Sequence, residues 1–150
     1  MSTQESPAVD FAGLSELLGY GLRRAQGAVH RNYMAAIGAL KITQKQAAVL
    51  WLVQSNPGVV QGVIGATLGM DRATMMVLVD RLERRSLLRR QRSRVDARRR
   101  ELHLTAVGTA LMRQVRKRII RHEIHLERLF SASDLRTLKR LLRVLQRLDD

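Results

Sequence analysis

The sequence predicts a mainly α-helical fold with one small β-hairpin, and three observations predict it. Leucine, valine and isoleucine recur at helical spacing along most of the 150 residues. One stretch, from Arg89 to Leu104, instead alternates apolar and charged residues as the strands of a hairpin do. The chain has no cysteine and so cannot form disulfides, but at this length and with 45% hydrophobic residues it can bury a core of its own without them. We therefore expect a single domain, residues 1–150.

The first predicted helix runs from Leu14 to Leu40, and the second runs from Gln44 to Gln54. The residues that set the apolar spacing of the first helix are Leu14, Leu18, Leu22, Ala25, Val29, Ala36 and Ile37. A helix this apolar requires a surface to pack against. Thr43 is the expected N-cap of the second helix, and Asn56-Pro57-Gly58 ends it because proline lacks the amide hydrogen that a helix needs.

A helix-turn-helix is predicted next. Its first segment, Val59 to Leu68, stops at Gly69-Met70, since glycine favours the C-terminus of a helix. Its second helix, Asp71 to Arg85, has Asp71 as the N-cap. We expect the inward stripe of this helix to consist of Val77, Leu78 and Leu82. Two short helices joined around a glycine are typical of the motif.

A β-hairpin and two further helices complete the chain. The hairpin has strands Arg89–Arg92 and Arg100–Leu104 around a turn from Ser93 to Arg99, and at this place it forms a wing. Thr105 then caps a helix that extends to residue 130 or so. Ser131 and, three residues later, Asp134 resemble a capping box that opens the last helix. The leucines along the last helix are Leu135, Leu138, Leu142 and Leu145. So wide an apolar face requires a partner surface.

The chain is strongly basic. It has 27 Lys and Arg against 13 Asp and Glu, and the resulting charge of +14 favours a polyanionic partner, nucleic acid above all. Only four of these cations are lysine, and the planar guanidinium of arginine suits phosphates and base edges. GC-rich codons would scatter arginine, whereas residues 81–100 contain ten arginines against two acids. The charge predicts a nucleic-acid-binding surface, with sequence-neutral packaging of nucleic acid as the alternative to specific recognition.

Several classes of protein are disfavoured. Without cysteine there is no thiol sensor and no thiolate metal site, and a reducing compartment fits, so we expect the cytoplasm. The polar, acidic N-terminus and the lack of an 18-residue apolar run predict neither export nor a membrane partner. No hydrolase elbow, phosphate-binding glycine loop or pair of catalytic carboxylates appears, so we expect neither an enzyme nor a cofactor.

Two histidines raise the question of a metal site. His122 and His125 flank Glu123 at a spacing at which helical histidines can share a metal ion. Four histidines without any cysteine make a poor ligand set. We therefore expect solvated or interface histidines and no metal, with zinc as the alternative.

Four segments carry a resemblance to a known family. They are Ile42-Thr43 to Val53, Leu68-Gly69-Met70-Asp71-Arg72-Ala73-Thr74, Val79-Asp80-Arg81-Leu82-Glu83-Arg84-Arg85, and Asp96-Ala97-Arg98 followed by Leu104-Thr105-Ala106-Val107-Gly108. In this order and spacing they resemble the multiple antibiotic resistance regulator (MarR) family over essentially the whole chain. The resemblance implies a winged helix-turn-helix lobe at about 42–105 and dimerisation helices at about 12–40 and 106–150. It also implies a homodimer on a palindromic operator in double-stranded DNA, usually a repressor that a small ligand releases.

The resemblance places the helix that begins at Asp71 in the major groove, with its N-terminal residues nearest the bases. The candidate DNA contacts on this lobe are Gln61 for the backbone and Arg72, Thr74, Met75 and Met76 for the bases. Adjacent positions on a helix cannot both face one direction, so one of the two methionines is expected to contact thymine methyl groups. The family often has Ser, Thr and Arg where this chain has Ala73, Met76 and Val77, which shifts the expected affinity toward phosphates and the wing.

In the wing, the resemblance implies a role for each polar residue. Asp96 orients the hairpin by pairing with an arginine, and the guanidinium of Arg98 enters the minor groove. The residues expected to place charge near the phosphates are Arg94, Arg99 and Arg100.

An effector in this family usually lies between the dimerisation helices and the DNA-binding lobe. That position implies a ligand site built from Arg23, His30, Tyr33 and Trp51, although Tyr33 and Trp51 also fit as core residues. An aromatic carboxylate needs an apolar cleft and one cation, whereas a coenzyme A thioester needs several cations for its phosphates. The chain contains enough arginine for either, so both ligand classes stay open.

Overall fold

The computed structural model describes residues 11–93, 96 and 99–149. It divides the chain into two compact units, with the boundary after Asn32. The predicted helix from residue 14 to residue 40 is not continuous. A short 3-10 turn, Leu14–Glu16, ends at Leu17 in an extended conformation, and α1 then runs Leu18–Ile37 across the boundary. A second 3-10 turn, Gly38–Leu40, follows it directly.

The second unit contains the predicted elements in the predicted order, with the short strand β1 in addition, and this confirms the mainly helical fold. They are α2 (Gln44–Ser55), β1 (Val59–Val60), α3 (Gln61–Thr67), α4 (Arg72–Arg84), β2 (Leu88–Arg92), β3 (Arg100–Leu104), α5 (Ala106–Glu127) and α6 (Ala132–Leu145). The side chains of the four predicted N-caps each accept a backbone N–H, and these residues are Thr43, Asp71, Thr105 and Ser131. Thr43 also forms a full capping box with Gln46. The positive φ of +59° at Gly69 ends the turn between α3 and α4 as glycine allows.

The three strands form one antiparallel sheet in the order β1-β3-β2. The hairpin register pairs Leu88 with Leu104 and Arg92 with Arg100. Strand β1, which the sequence did not predict, pairs Val59 with Leu102. Two residues are too few to show a strand period, so only the pairing with β3 reveals this element. Strand β1 thereby fixes the start of α3 against the root of the wing.

One apolar core within the second unit holds α4 in place. Its fully buried large side chains come from α2, α3, α4, both hairpin strands and α5, and include Leu50, Ile64, Met75, Val79, Leu82, Leu88, Leu102 and Met112. Helix α5 approaches the residue before β2 so closely that a Cβ on Gly108 would lie 1.8 Å from the Leu87 carbonyl oxygen. In contrast, none of the residues of α6 is buried, and Leu141, Leu142 and Val144 are exposed.

Within the described residues, no single helix has the length and apolar character needed to cross a membrane. The bent pair α3 and α4, at 119° to each other, passes that test by length and composition only.

Candidate nucleic-acid interface

Helix α4 has one buried and one exposed face. Its buried residues are Met75, Leu78, Val79 and Leu82, which follow the i, i+3, i+4, i+7 spacing of a single helix face. Met76 and Val77 lie opposite and are 50% and 47% exposed. Two expectations are therefore corrected. Met75, only 1% exposed, is a core residue and cannot contact DNA, and Val77 does not point inward.

The N-terminus of α4 is fixed by its cap. The Thr74 backbone N–H donates to Asp71 Oδ1 over 2.8 Å, and the Thr74 hydroxyl donates to Asp71 Oδ2 over 2.6 Å. The hydrogen bond from the Thr74 side chain, followed by that from its backbone, lowers the pKa of Asp71. The hydroxyl of Thr74 is thus already donated within the protein, whereas Arg72 beside it is exposed.

Arg90, on β2, binds both acids of α4. Its Nη2 lies 2.5 Å from Asp80 Oδ1, and its Nη1 lies 2.5 Å from Glu83 Oε2. The Arg90 backbone N–H also donates to Glu83 Oε1 over 3.0 Å. This contact joins the strand that leads into the wing to helix α4. One guanidinium offsets only one of the two carboxylate charges, but Arg72, Arg81 and Arg84 are exposed on the same helix and leave α4 with a net positive charge.

A hollow of about 810 Å³ lies between α3 and α4. It is lined by Gln61, Gly62, Gly65, Ala66, Met70, Arg72, Met75, Met76, Asp80 and Arg90. Inside it, Arg90 Nη2 donates to Gln61 Oε1 over 3.3 Å, so the Gln61 side chain is turned toward the Arg90 cluster. Sequence reasoning missed Arg90. The sequence feature that could have indicated Arg90 is the pair Asp80 and Glu83, two acids one helical turn apart beside a strongly basic segment.

The described part of the wing turn is closed by backbone hydrogen bonds. The Ser93 N–H donates to the Arg99 carbonyl over 3.1 Å, and the Arg99 N–H donates to the Asp96 carbonyl over 2.9 Å. The side chains of Asp96, Arg99 and Arg100 are exposed. A hydrogen bond with Ser93, then one with His103, lowers the pKa of Glu101. Arg94 and Arg98 lie outside the described residues, and their roles stay predictions.

Two of the four predicted ligand residues share a hollow in the second unit. Tyr33 and Trp51 line a space of about 310 Å³ with Gln44, Ala47, Ala48, Leu52, Leu68 and Ile119. The guanidinium of Arg116 lies 4.0 Å from the centre of the Trp51 ring. Burial, with a smaller contribution from Glu123, raises the pKa of Tyr33.

The other two predicted ligand residues belong to the unit that ends at Asn32. Arg23 lines an open hollow of about 420 Å³ with Tyr20, Arg24, Gln26, Gly27 and Arg31. His30 is exposed on the same helix. This unit therefore offers a cluster of guanidinium groups rather than an apolar cleft.

The histidines do not assemble a metal site in the described part of the chain, where no group of three or more His, Cys, Asp or Glu side chains is placed to hold an ion. His122 is buried, at 4% exposure, and packs edge-on against the Tyr33 ring with 5.5 Å between ring centres. Its Nδ1 lies 3.4 Å from Glu123 Oε1. The zinc alternative gains no support from these contacts.

Known proteins resemble this chain in sequence and in structure. A model of the MarR family matches residues 40–99. The transcriptional repressor CouR, bound to a 23-mer DNA duplex, is 35% identical, with 93% of this chain and 99% of CouR covered and a TM-score of 0.86. CouR bound to p-coumaroyl-CoA is 34% identical, with 94% and 99% covered and a TM-score of 0.86.

Two further relatives come from Streptomyces coelicolor and Thauera aromatica. The PcaV transcriptional regulator from Streptomyces coelicolor, in complex with its natural ligand, is 30% identical, with 97% of this chain and 100% of PcaV covered and a TM-score of 0.78. A protein assigned to transcriptional regulation of the hcr operon in Thauera aromatica is 29% identical over 133 residues, which are 88% of this chain and 80% of that protein.

Proposed function

The chain belongs to the MarR family of transcription regulators, and we propose that it is a homodimeric, sequence-specific DNA-binding repressor released by a small aromatic effector. The observation that carries the proposal is the outer face of α4. That face is exposed, both of its acids are held by Arg90, and it is followed by an arginine-rich wing. The similarity to CouR, solved on a DNA duplex, supports the same use of the motif here.

On this proposal α4 lies in the major groove and the wing reaches the adjacent minor groove. Arg72, at the N-terminus of α4, is positioned for a base edge or a phosphate. In the wing, Asp96 orients the hairpin and Arg98 enters the minor groove. The guanidinium groups proposed to neutralise phosphates are Arg81, Arg84, Arg94, Arg99 and Arg100.

Dimerisation accounts for the apolar surface that the second unit leaves open. Helix α6 presents Leu141, Leu142 and Val144 to solvent although its other face is charged. Within the first unit, Leu18, Leu22 and Val29 of α1 are exposed as well. We assign both helices to the interface between two copies of the chain, because large exposed apolar faces mark association sites.

The hollow around Trp51 is proposed to take the aromatic ring of the effector. Its volume of about 310 Å³ is at the small end for a ligand pocket, and its lining is mostly apolar. A phenolic acid fits a space of that size. The nucleotide part of a coenzyme A thioester does not, so it would extend beyond the hollow to cationic side chains. The complex of CouR with p-coumaroyl-CoA supports the thioester, and neither class is preferred by the lining alone.

Footprinting with excess random competitor DNA tests the DNA part of the proposal. We expect protection of one short palindrome, lost on addition of the effector, whereas uniform coverage would instead favour sequence-neutral packaging. Calorimetry with a phenolic acid and with its coenzyme A thioester then separates the two ligand classes. Binding of neither compound would remove the aromatic effector from the proposal.

A further inference from the structure

Two exposed apolar side chains lie at the centre of the outer face of α4. Met76 and Val77 are 50% and 47% exposed, and with Ala73 they lie opposite the buried residues of the helix. We call Met76 and Val77 the apolar pair. We propose that the apolar pair recognises thymine 5-methyl groups, so that well-placed thymines rather than hydrogen-bonded bases set the preferred half-site. This inference rests on the proposed DNA-binding function and adds the chemistry of its specificity.

Helix geometry places the apolar pair where a base reader must be. Positions 72, 73, 76, 77 and 80 follow the i, i+1, i+4, i+5, i+8 spacing of one helix face. The core takes the opposite face through Met75 and Val79. When a recognition helix enters the major groove, the face turned away from the core is the face that meets the base edges.

Charge on the same helix favours DNA as the occupant of this face. Arg72 precedes the apolar pair, and Arg81 and Arg84 follow it, all three exposed. The acids Asp80 and Glu83 both bind Arg90, which offsets one of their two charges, so the three arginines give the helix and this cluster together a net positive charge. A duplex presents apolar methyl groups on the groove floor between two rows of phosphates, which matches an apolar centre between cationic ends.

Two uncharged polar side chains nearby already have hydrogen-bond partners within the protein. The Thr74 hydroxyl donates to Asp71, and the Gln61 amide oxygen accepts from Arg90. Met76 and Val77 carry no hydrogen-bond donor, so they cannot read guanine or adenine as arginine or asparagine do. Thymine is the base that exposes an apolar group in the major groove. The preference that Met76 and Val77 add to α4 therefore follows from contact with that methyl group.

The expected size of the effect follows from the area that one methyl removes from water. A buried methyl-sized group contributes about 0.8 kcal/mol, which is about fourfold in affinity at 1.4 kcal/mol per tenfold. A dimer on a palindrome makes each contact twice. Removing one symmetric pair of contacted methyl groups is therefore expected to weaken binding by about fifteenfold.

Deoxyuridine provides the test, because it differs from thymine only by the methyl group. The full chain selects duplexes from a random-sequence library, and the enriched duplex is then compared with copies in which each thymine pair is replaced by deoxyuridine. Val77→Thr keeps the shape of the side chain and exchanges one methyl for a hydroxyl. Val107→Thr is the matched control, since Val107 is 58% exposed on α5 and its substitution changes the same atoms.

We expect deoxyuridine at one or more symmetric positions to weaken DNA binding by the unmodified protein about fifteenfold. Val77→Thr reduces that discrimination, while Val107→Thr retains it, with circular dichroism confirming the fold of both variants. Equal affinity for the thymine and deoxyuridine duplexes overturns this inference and leaves the proposed function standing. If Val77→Thr and a separate Met76→Gln variant both discriminate fully between the thymine and deoxyuridine duplexes, the assignment to the apolar pair is overturned. Failure to enrich any duplex overturns the proposed function and this inference with it.

Discussion

Arg90 Nη2 and Asp80 Oδ1 lie 2.5 Å apart, and this contact joins the strand leading into the wing to α4, the proposed recognition helix. We predict that Arg90→Lys weakens both folding and DNA binding, because an ammonium cannot hold Asp80 and Glu83 in the same forked geometry. The expected loss is about 1 kcal/mol in the free energy of unfolding, as for a partly exposed ion pair. Urea denaturation and fluorescence-anisotropy titration measure the two effects.

Arg89→Lys is the control for this substitution. Arg89 neighbours Arg90 on β2 and is exposed, so its exchange alters neither carboxylate contact. If Arg90→Lys and Arg89→Lys bind DNA with the affinity of the unmodified chain, the Arg90 contact has no part in orienting α4 or the wing.

We predict that Gly108→Ala is strongly destabilising. A Cβ at this position would lie 1.8 Å from the Leu87 carbonyl oxygen, so α5 would have to move away from β2. The expected cost is about 3 kcal/mol or more, at the upper end for overpacking. Gly62→Ala is the control because a Cβ there meets nothing within 4 Å. Alanine at position 62 should leave stability unchanged or raise it by up to about 1 kcal/mol. Equal melting temperatures for the two variants would show that Gly108 of α5 does not lie against the Leu87 backbone as described.

Trp51 is the one tryptophan of the chain, so its emission reports directly on the proposed effector hollow. We predict a saturable change in tryptophan fluorescence on titration with a phenolic acid or its coenzyme A thioester, with the same dissociation constant as calorimetry. A short aliphatic carboxylate of equal charge should produce no change. Calorimetric binding without any fluorescence response would place the effector away from Trp51.

The cap of α4 predicts a dependence of stability on acid. Hydrogen bonds from Thr74 lower the folded-state pKa of Asp71 below its ordinary value of 3.8. The stabilisation that the charged cap adds is therefore present above that ordinary value and is lost as the pH falls through the lower folded value. We expect the difference in unfolding free energy between the unmodified chain and Asp71→Ala to shrink below about pH 4. Asp71→Asn, which caps without titrating, should retain stability relative to Asp71→Ala at every pH. A constant difference across this range for the unmodified chain would contradict the role of the charged cap.

Local signals made the order of elements predictable. Thr43, Asp71, Thr105 and Ser131 precede apolar periods, and each caps a helix in the structure. The prediction of the inward stripe of α4 was partly wrong. Met75, Val77 and Leu78 are close in sequence and all apolar, so only packing decides which of them is buried. Contacts between residues far apart in the sequence were not predictable either, because they too depend on packing. Nothing local to Arg90 distinguishes it from Arg89, although Arg90 alone of the two binds Asp80.

The candidate effector site was predictable only in part. Tyr33 and Trp51 were named from the resemblance, and the structure brings them into one hollow. The contact of Arg116 with Trp51 was not predicted, because it joins residues 65 positions apart on α2 and α5. Two aromatic residues at helical positions are compatible with a core as well as a pocket, and the arrangement in three dimensions is needed to tell the two apart.

The recognition of a particular DNA sequence is tested most directly by one ratio, the affinity for the selected duplex divided by that for a scrambled duplex of the same length and composition. At physiological salt we predict a ratio of about 10³ or more, as for specific DNA-binding proteins. Both affinities should fall steeply with added salt, as expected of a dimer with on the order of 6 to 10 phosphate contacts. Equal affinity for the two duplexes would contradict specific recognition by α4 and the wing, and would identify the chain as a sequence-neutral nucleic-acid-binding protein.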